Sequence, residues 1–275
     1  MKYSKFLLLV FGISILFVCE SNAQTVLDGV YVKENTPNRR VIPYVYLREA
    51  DMKWTRRIWR VVDLREKINH TLYYPIEPIA TRKSLTQVIF DAILKDGTIT
   101  AYEDEEFKKA LTRAEVTAML SRVDTVDVED ADGNYQKKLV PKNIEPKQAI
   151  QYKIKEDWFF DRQRSVMECR IIGMGLLIEG ESESGEIKKN TLFWIYYPEA
   201  RYVFANTDVF NRQNDAERRT YEDIFWKRMF GSYIYKEENV YDRLIADYRL
   251  GLDGLLEAER IKEDIFNQEH DVWEF

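Results

Sequence analysis

Only two cysteines, Cys19 and Cys169, occur in the 275 residues of this chain, and the first lies in a segment built like a removable leader. Lys2 and Lys5 form a positive start, Phe6 to Val18 is an apolar run, and Ser21-Asn22-Ala23 places small residues at −3 and −1 before Gln24. This is the pattern of a secretory signal peptide cut between Ala23 and Gln24. The apolar run is too short for a spanning helix, which needs about 20 residues. A lipid-anchored leader would want a small residue before Cys19, and Val18 stands there, so no lipid is expected. Removing the leader leaves Cys169 alone and no internal disulfide. The fold must therefore rest on a hydrophobic core, for which 45% apolar and 13% aromatic residues are ample.

The net charge is −6, and about −7 without Lys2, Lys5 and Glu20, which argues against general nucleic-acid binding. Its distribution is uneven. Arg39 to His70 holds nine Lys/Arg against four Asp/Glu, while Tyr221 to Phe275 holds seven against fourteen. Either these charges solvate separate faces, or a basic segment meets an acidic one, within one molecule or between neighbours.

Thr25 to Leu47, with Pro37 and Pro43, reads as extended chain. Ile58, Arg60 and Val62 alternate as in a short strand, and Leu64 and Ile68 follow at helical spacing. Ser84 with Gln87, and Thr112 with Glu115, are helix-start signals, the first helix running to Leu94 before Gly97. Val123–Glu129 and Tyr135–Val140 flank a hairpin turn. Trp158–Asp161 leads to a long strand, Ser165–Ile178, pairing with Thr191–Tyr197. Pro198 suits the first turn of a helix. Thr220 and Asp223 open another, ahead of a short strand at Ser232–Tyr235. Leu252, Leu255, Ala258, Ile261 and Ile265 trace one face of a final helix. The irregular alternation predicts an α+β fold: one compact domain over residues 81–275, short helices on an antiparallel sheet, preceded by an extended arm over 24–80 and the leader over 1–23.

Motifs for chemistry are nearly absent. His70 and His270 are the only histidines, and there is no HExxH or CxxC, so a zinc site lacks ligands. Asp130-Ala131-Asp132-Gly133 hints at a calcium loop but fails at Val128 and Leu139. Gly173-Met174-Gly175 lacks the third glycine of a dinucleotide cradle, Ile178 standing in its place. Those glycines are expected to permit close packing in a strand. Glu269-His270-Asp271 could position a general base, but a histidine near a helix carboxyl end is commoner. Cys169, on an apolar strand face, reads as a buried structural thiol whose replacement by serine costs about 1–3 kcal/mol if the hydroxyl has no partner.

Arg57-Ile58-Trp59-Arg60-Val61-Val62-Asp63-Leu64-Arg65-Glu66-Lys67-Ile68-Asn69-His70 with Leu72-Tyr73-Tyr74-Pro75 resembles the N-terminal signature of the gliding motility protein GldN (PorN) family. Arg170-Ile171-Ile172-Gly173, Phe193-Trp194-Ile195-Tyr196-Tyr197-Pro198, Val209-Phe210-Asn211 with Asn214-Asp215-Ala216, and Glu269-His270-Asp271-Val272-Trp273-Glu274-Phe275 extend the likeness. Met174-Gly175-Leu176 departs from it. The resemblance implies a non-catalytic periplasmic component of the type IX secretion system of Bacteroidetes, with no cofactor. It also implies a ring with the outer-membrane lipoprotein GldK (PorK) and contact with the periplasmic part of GldM (PorM), whose inner-membrane partner is GldL (PorL). A periplasmic adaptor or chaperone for exported cargo is the alternative, and a hydrolase using His270 the third reading. Because interface hot spots favour aromatics and arginine, Trp54, Arg57, Trp59, Arg60, Arg65, Tyr73 and Tyr74 are the expected contact residues. On that expectation, Arg57→Glu with Arg60→Glu weakens assembly and leaves the fold intact.

Overall fold

The computed structural model describes residues 39–79, 82–129, 135–181, 187–211 and 218–273. The leader, its cleavage site at Ala23 and Gln24, the centre of the 130–134 turn and the Asn214-Asp215-Ala216 run lie outside them. Nine strands are described: β1 (Met52–Asp63), β2 (Ala101–Tyr102), β3 (Ala110–Leu111), β4 (Ser121–Glu129), β5 (Tyr135–Asn143), β6 (Ala149–Asp161), β7 (Val166–Glu181), β8 (Ile187–Tyr196) and β9 (Tyr233–Glu237). The helices are α1 (His70–Tyr73), α2 (Leu85–Asp91), α3 (Arg113–Leu120), α4 (Tyr197–Ala205), α5 (Tyr221–Trp226), α6 (Ile245–Tyr248) and α7 (Leu252–Trp273). Seven strands form one antiparallel sheet in the order β3-β2-β8-β7-β6-β1-β9, and β4 and β5 pair separately. This is the expected α+β class.

Local signals act where the sequence places them. Thr112 and Thr220 close reciprocal capping boxes with Glu115 and Asp223. Ser84 accepts from the Gln87 backbone, but the Gln87 side chain turns instead to Asp91. Gly97 ends the π turn at Ala92–Asp96 in a left-handed conformation, φ 65°, where any Cβ is strained. Pro198 sits in the first turn of α4.

Antiparallel pairing puts partners on one face, so the register sorts the two sides of the sheet. One face carries Val62, Ile154, Ile171, Met174, Phe193 and Ile195, packed with apolar side chains of α2, α4 and α5 into the main core. Further along β1, Ile58 joins Ile234, Ile245, Ala258, Ile261 and Ile265 in a second core under α6 and α7. The other face is crossed by the row Lys236, Trp59, Lys155, Gly173 and Tyr196, on β9, β1, β6, β7 and β8. The 103–109 loop covers it: Lys155 donates to the Glu105 carbonyl at 2.8 Å, Lys236 approaches the Glu105 carboxylate at 3.4 Å, and the Phe107 ring lies against Gly173.

The arm expected over residues 24–80 is corrected at its inner end. β1 is an interior strand between β6 and β9, with Ile58, Trp59, Arg60, Val61 and Val62 all buried. Ahead of β1, the described extended chain covers only residues 39–48. The reason is that the basic side chains of β1 meet carboxylates within the same molecule, so they do not hold the strand out in water.

Gly175 keeps the role expected for it, a close approach. A Cβ there would lie 2.9 Å from the Trp194 ring, and packed cores tolerate such insertions poorly. Gly175→Ala should lose about 1–3 kcal/mol in urea unfolding with the native spectrum retained. An unchanged midpoint would show that Trp194 moves freely.

Candidate interaction surfaces

The expected contact residues of β1 and α1 divide into buried and paired groups. Trp59 is 5% and Arg60 7% exposed. Lys236 lies 4.5 Å from the Trp59 ring, an attractive cation–π placement. Trp54 packs on the second core. Arg57 makes a two-pronged bond to Asp157 at 2.6 and 2.8 Å, Arg65 folds back on Asp63 at 2.7 Å, and Arg56 reaches Glu237 at 2.7 Å and Asp264 of α7 at 3.9 Å. The Tyr73 hydroxyl donates to the Lys147 carbonyl at 3.2 Å, and Tyr74 is partly exposed. The basic segment and the acidic tail thus meet inside one molecule. Reversing Arg57 and Arg60 would disturb the fold itself, because Arg60→Glu sets a second carboxylate against a buried one.

That buried carboxylate is Glu156, with no solvent exposure. Arg60 of β1 bonds one oxygen, which also accepts from the Trp158 indole at 2.9 Å. Arg228 donates to the other oxygen at 2.8 Å and contacts the Cys169 sulfur at 3.1 Å. Burial alone would push the Glu156 pKa up, but Arg228 and Arg60 outweigh it and hold the group below its ordinary range. Arg228 follows α5 with φ 53°, a left-handed position that costs a side-chain residue about 1–2 kcal/mol. Its guanidinium contacts offset that strain. Burial and the Glu156 charge push the Cys169 thiol well up, the opposite of what a nucleophile needs. Arg228 would also donate to a serine hydroxyl there, so Cys169→Ser should cost less than an unpartnered hydroxyl would.

A second buried pair fastens the extended segment. Arg201 donates to Glu222 and to the Ile42 carbonyl, each at 2.7 Å, and Glu222 also accepts from the Tyr197 hydroxyl. The Arg201 guanidinium lies 4.1 Å from the Tyr44 ring centre, with Arg170 4.9 Å from it. Arg170 donates to the Val45 carbonyl, and Trp226 stacks on Tyr44 at 5.6 Å. Burial, the leading cause, pushes the Tyr44 hydroxyl up to about 12. Arg39 adds a backbone bond to Asn206 at 2.9 Å and an ion pair to Asp223 at 3.0 Å, so residues 39–48 are held at several points, leaving Ile42, Val45 and Tyr46 facing water.

Beside Glu156, a groove of about 590 Å³ runs between the sheet and α7, walled by Arg60, Trp158, Arg228, Phe230, Ile265 and Phe266. Its arginines are already engaged by Glu156. Only part of the expected inner face of α7 is covered: Ala258, Ile261 and Ile265 are buried, but Leu252 and Leu255 are 71% and 59% exposed. His270 is exposed, near the carboxyl end of α7. Among the described residues no group of three His, Cys, Asp or Glu side chains could hold a metal, and no helix is long and apolar enough to cross a membrane.

The family model for gliding motility associated protein GldN matches residues 47–274. The chain belongs to the GldN family. It is therefore a component of the gliding motility and type IX secretion machinery, in a family not known as one of enzymes. No match was found among curated proteins. The GldN match begins just before β1 and includes α7, so both the buried charge network and the exposed leucines lie within the family region. Sequence reading missed Glu156, Arg228, Arg201 and Tyr44. The available signal was Glu156 itself, a charge in phase with the inward-facing Ile154 and Trp158.

Glu156 makes a defined contribution to acid stability. A carboxylate whose folded pKa is depressed stabilises above its unfolded pKa, about 4.3, and loses that contribution as pH falls toward the folded value. Glu156→Gln should lower unfolding free energy at pH 7 by about 3–5 kcal/mol, and the gap to the parent should narrow below about pH 4. Parallel stability–pH curves, measured by urea unfolding, would contradict this.

Proposed function

We propose that the chain is a non-catalytic structural subunit working in the periplasm. It builds a ring with a GldK (PorK)-type outer-membrane lipoprotein and contacts the periplasmic part of GldM (PorM). The observation that carries this reading is the GldN family match across residues 47–274. The distribution of side chains supports it. The charge clusters around Glu156 and Glu222 are spent on internal bonds, with the Cys169 thiol pushed up by burial beside one of them, whereas exposed apolar side chains lie on α7, in the 240–250 segment and at residues 42–46. A surface of that kind suits a subunit that works by contact.

Co-expression with the lipoprotein, followed by size-exclusion chromatography with light scattering, tests the reading. The pair should elute at fixed stoichiometry in a particle many times the 32.8 kDa of one chain. Elution of the chain as a monomer, with the lipoprotein separate, would refute it and favour a cargo adaptor.

A further inference from the structure

The solvent side of α7 carries large apolar side chains in its first turn and at Phe266, where a surface helix should be polar. At about 100° per residue, the buried Ala258, Ile261 and Ile265 define the inner face; Leu252 and Leu256 fall nearly opposite it, while Leu255 and Phe266 lie on the flank between, Phe266 at the rim of the groove. These four are 71%, 59%, 60% and 64% exposed. Glu259 and Glu263 lie on the same outer stripe, and α7 as a whole carries seven Asp/Glu against two Lys/Arg. Large apolar side chains grouped on the solvent side of a helix mark a contact surface. The partner must bring apolar side chains and positive charge. Two copies of α7 laid on each other would set Glu259 and Glu263 against their own counterparts, which disfavours a symmetric contact.

The chain presents the complementary surface itself. Ile42, Val45 and Tyr46 are 61%, 50% and 82% exposed, and exposed Arg40 and Arg48 flank them. Tyr44 and the carbonyls of Ile42 and Val45 fasten this segment to its own body, so it offers a fixed edge. The lengths agree: residues 40–48 extend roughly 26 Å, and Leu252 to Phe266 spans about 21 Å of helix.

We propose that the 40–48 segment of one copy docks on the outer face of α7 of a second copy, a head-to-tail contact between two different surfaces. Such a contact propagates into a ring if its rotation closes. The inference rests on the ring reading above but names the surfaces that make it.

Two charge-reversed forms of the full chain test it by sedimentation velocity. One carries Arg40→Glu with Arg48→Glu, the other Glu259→Lys with Glu263→Lys. All four side chains are exposed, and the Glu259–Lys262 pair lost in the second is a surface pair of little worth. The unmodified chain should self-associate with rising concentration, and each reversed form alone should do so at least about tenfold more weakly. Mixed in equal amounts they should associate again, because acidic segment then meets basic helix and basic segment meets acidic helix. An unmodified chain that stays monomeric, reversed forms that associate normally, or a mixture that fails to recover would each overturn the contact. If the reversed forms still assemble with the lipoprotein as the parent does, the contact is wrong and the ring reading stands. If the parent also fails to assemble, the ring reading falls with it.

Discussion

A carboxylate shut away from water must find its counter-charge inside the protein, and the position of Glu156 organises much of this fold. It sits on β6 where the main core and the core under α7 adjoin. Its two oxygens draw Arg60 from β1 and Arg228 from the turn between α5 and β9. One ionised group therefore holds together a strand from the start of the family region, the centre of the sheet and the turn leading to its last strand. Removing one partner of such a set strands the others in a low-dielectric interior, which makes its geometry far less tolerant than that of a surface ion pair.

The same constraint decides which parts of the molecule remain available to partners. Arginines of β1, and Arg65 just after it, that could have bound an acidic neighbour are taken up by Asp63, Glu156, Asp157, Glu237 and Asp264. What stays exposed is less basic and more apolar: the edge of the 39–48 segment, pinned by Tyr44, and the outer side of α7. In a family of machine components, those surfaces rather than the buried charges are where contacts belong.

The α+β class, both threonine capping boxes, the β7–β8 pairing and the buried half of α7 were legible because each depends on local spacing. The place of β1 was not. Its alternation of arginine with valine, isoleucine and tryptophan fits a half-exposed arm as well as an interior strand, and the partner that buries Arg60 lies 96 residues away. β6 was recognised only at Trp158–Asp161 because Lys153, Lys155, Glu156 and Asp157 break the apolar pattern, although cross-strand partners and the 103–109 loop satisfy several of these charges. In α7 a three-residue spacing marked Leu252 and Leu255 as inward, but at 100° per residue it drifts 60° with each step and carries them to the outer side and flank.

Native-state hydrogen exchange of β1 tests the account most directly. Ile58 to Val61 pair with β6 on one side and β9 on the other, so their amides should exchange only through global unfolding, while residues 39–48 exchange far sooner. If Ile58 to Val61 exchanged as fast as residues 39–48, β1 would be a detachable arm and the internal neutralisation of its charges would be wrong.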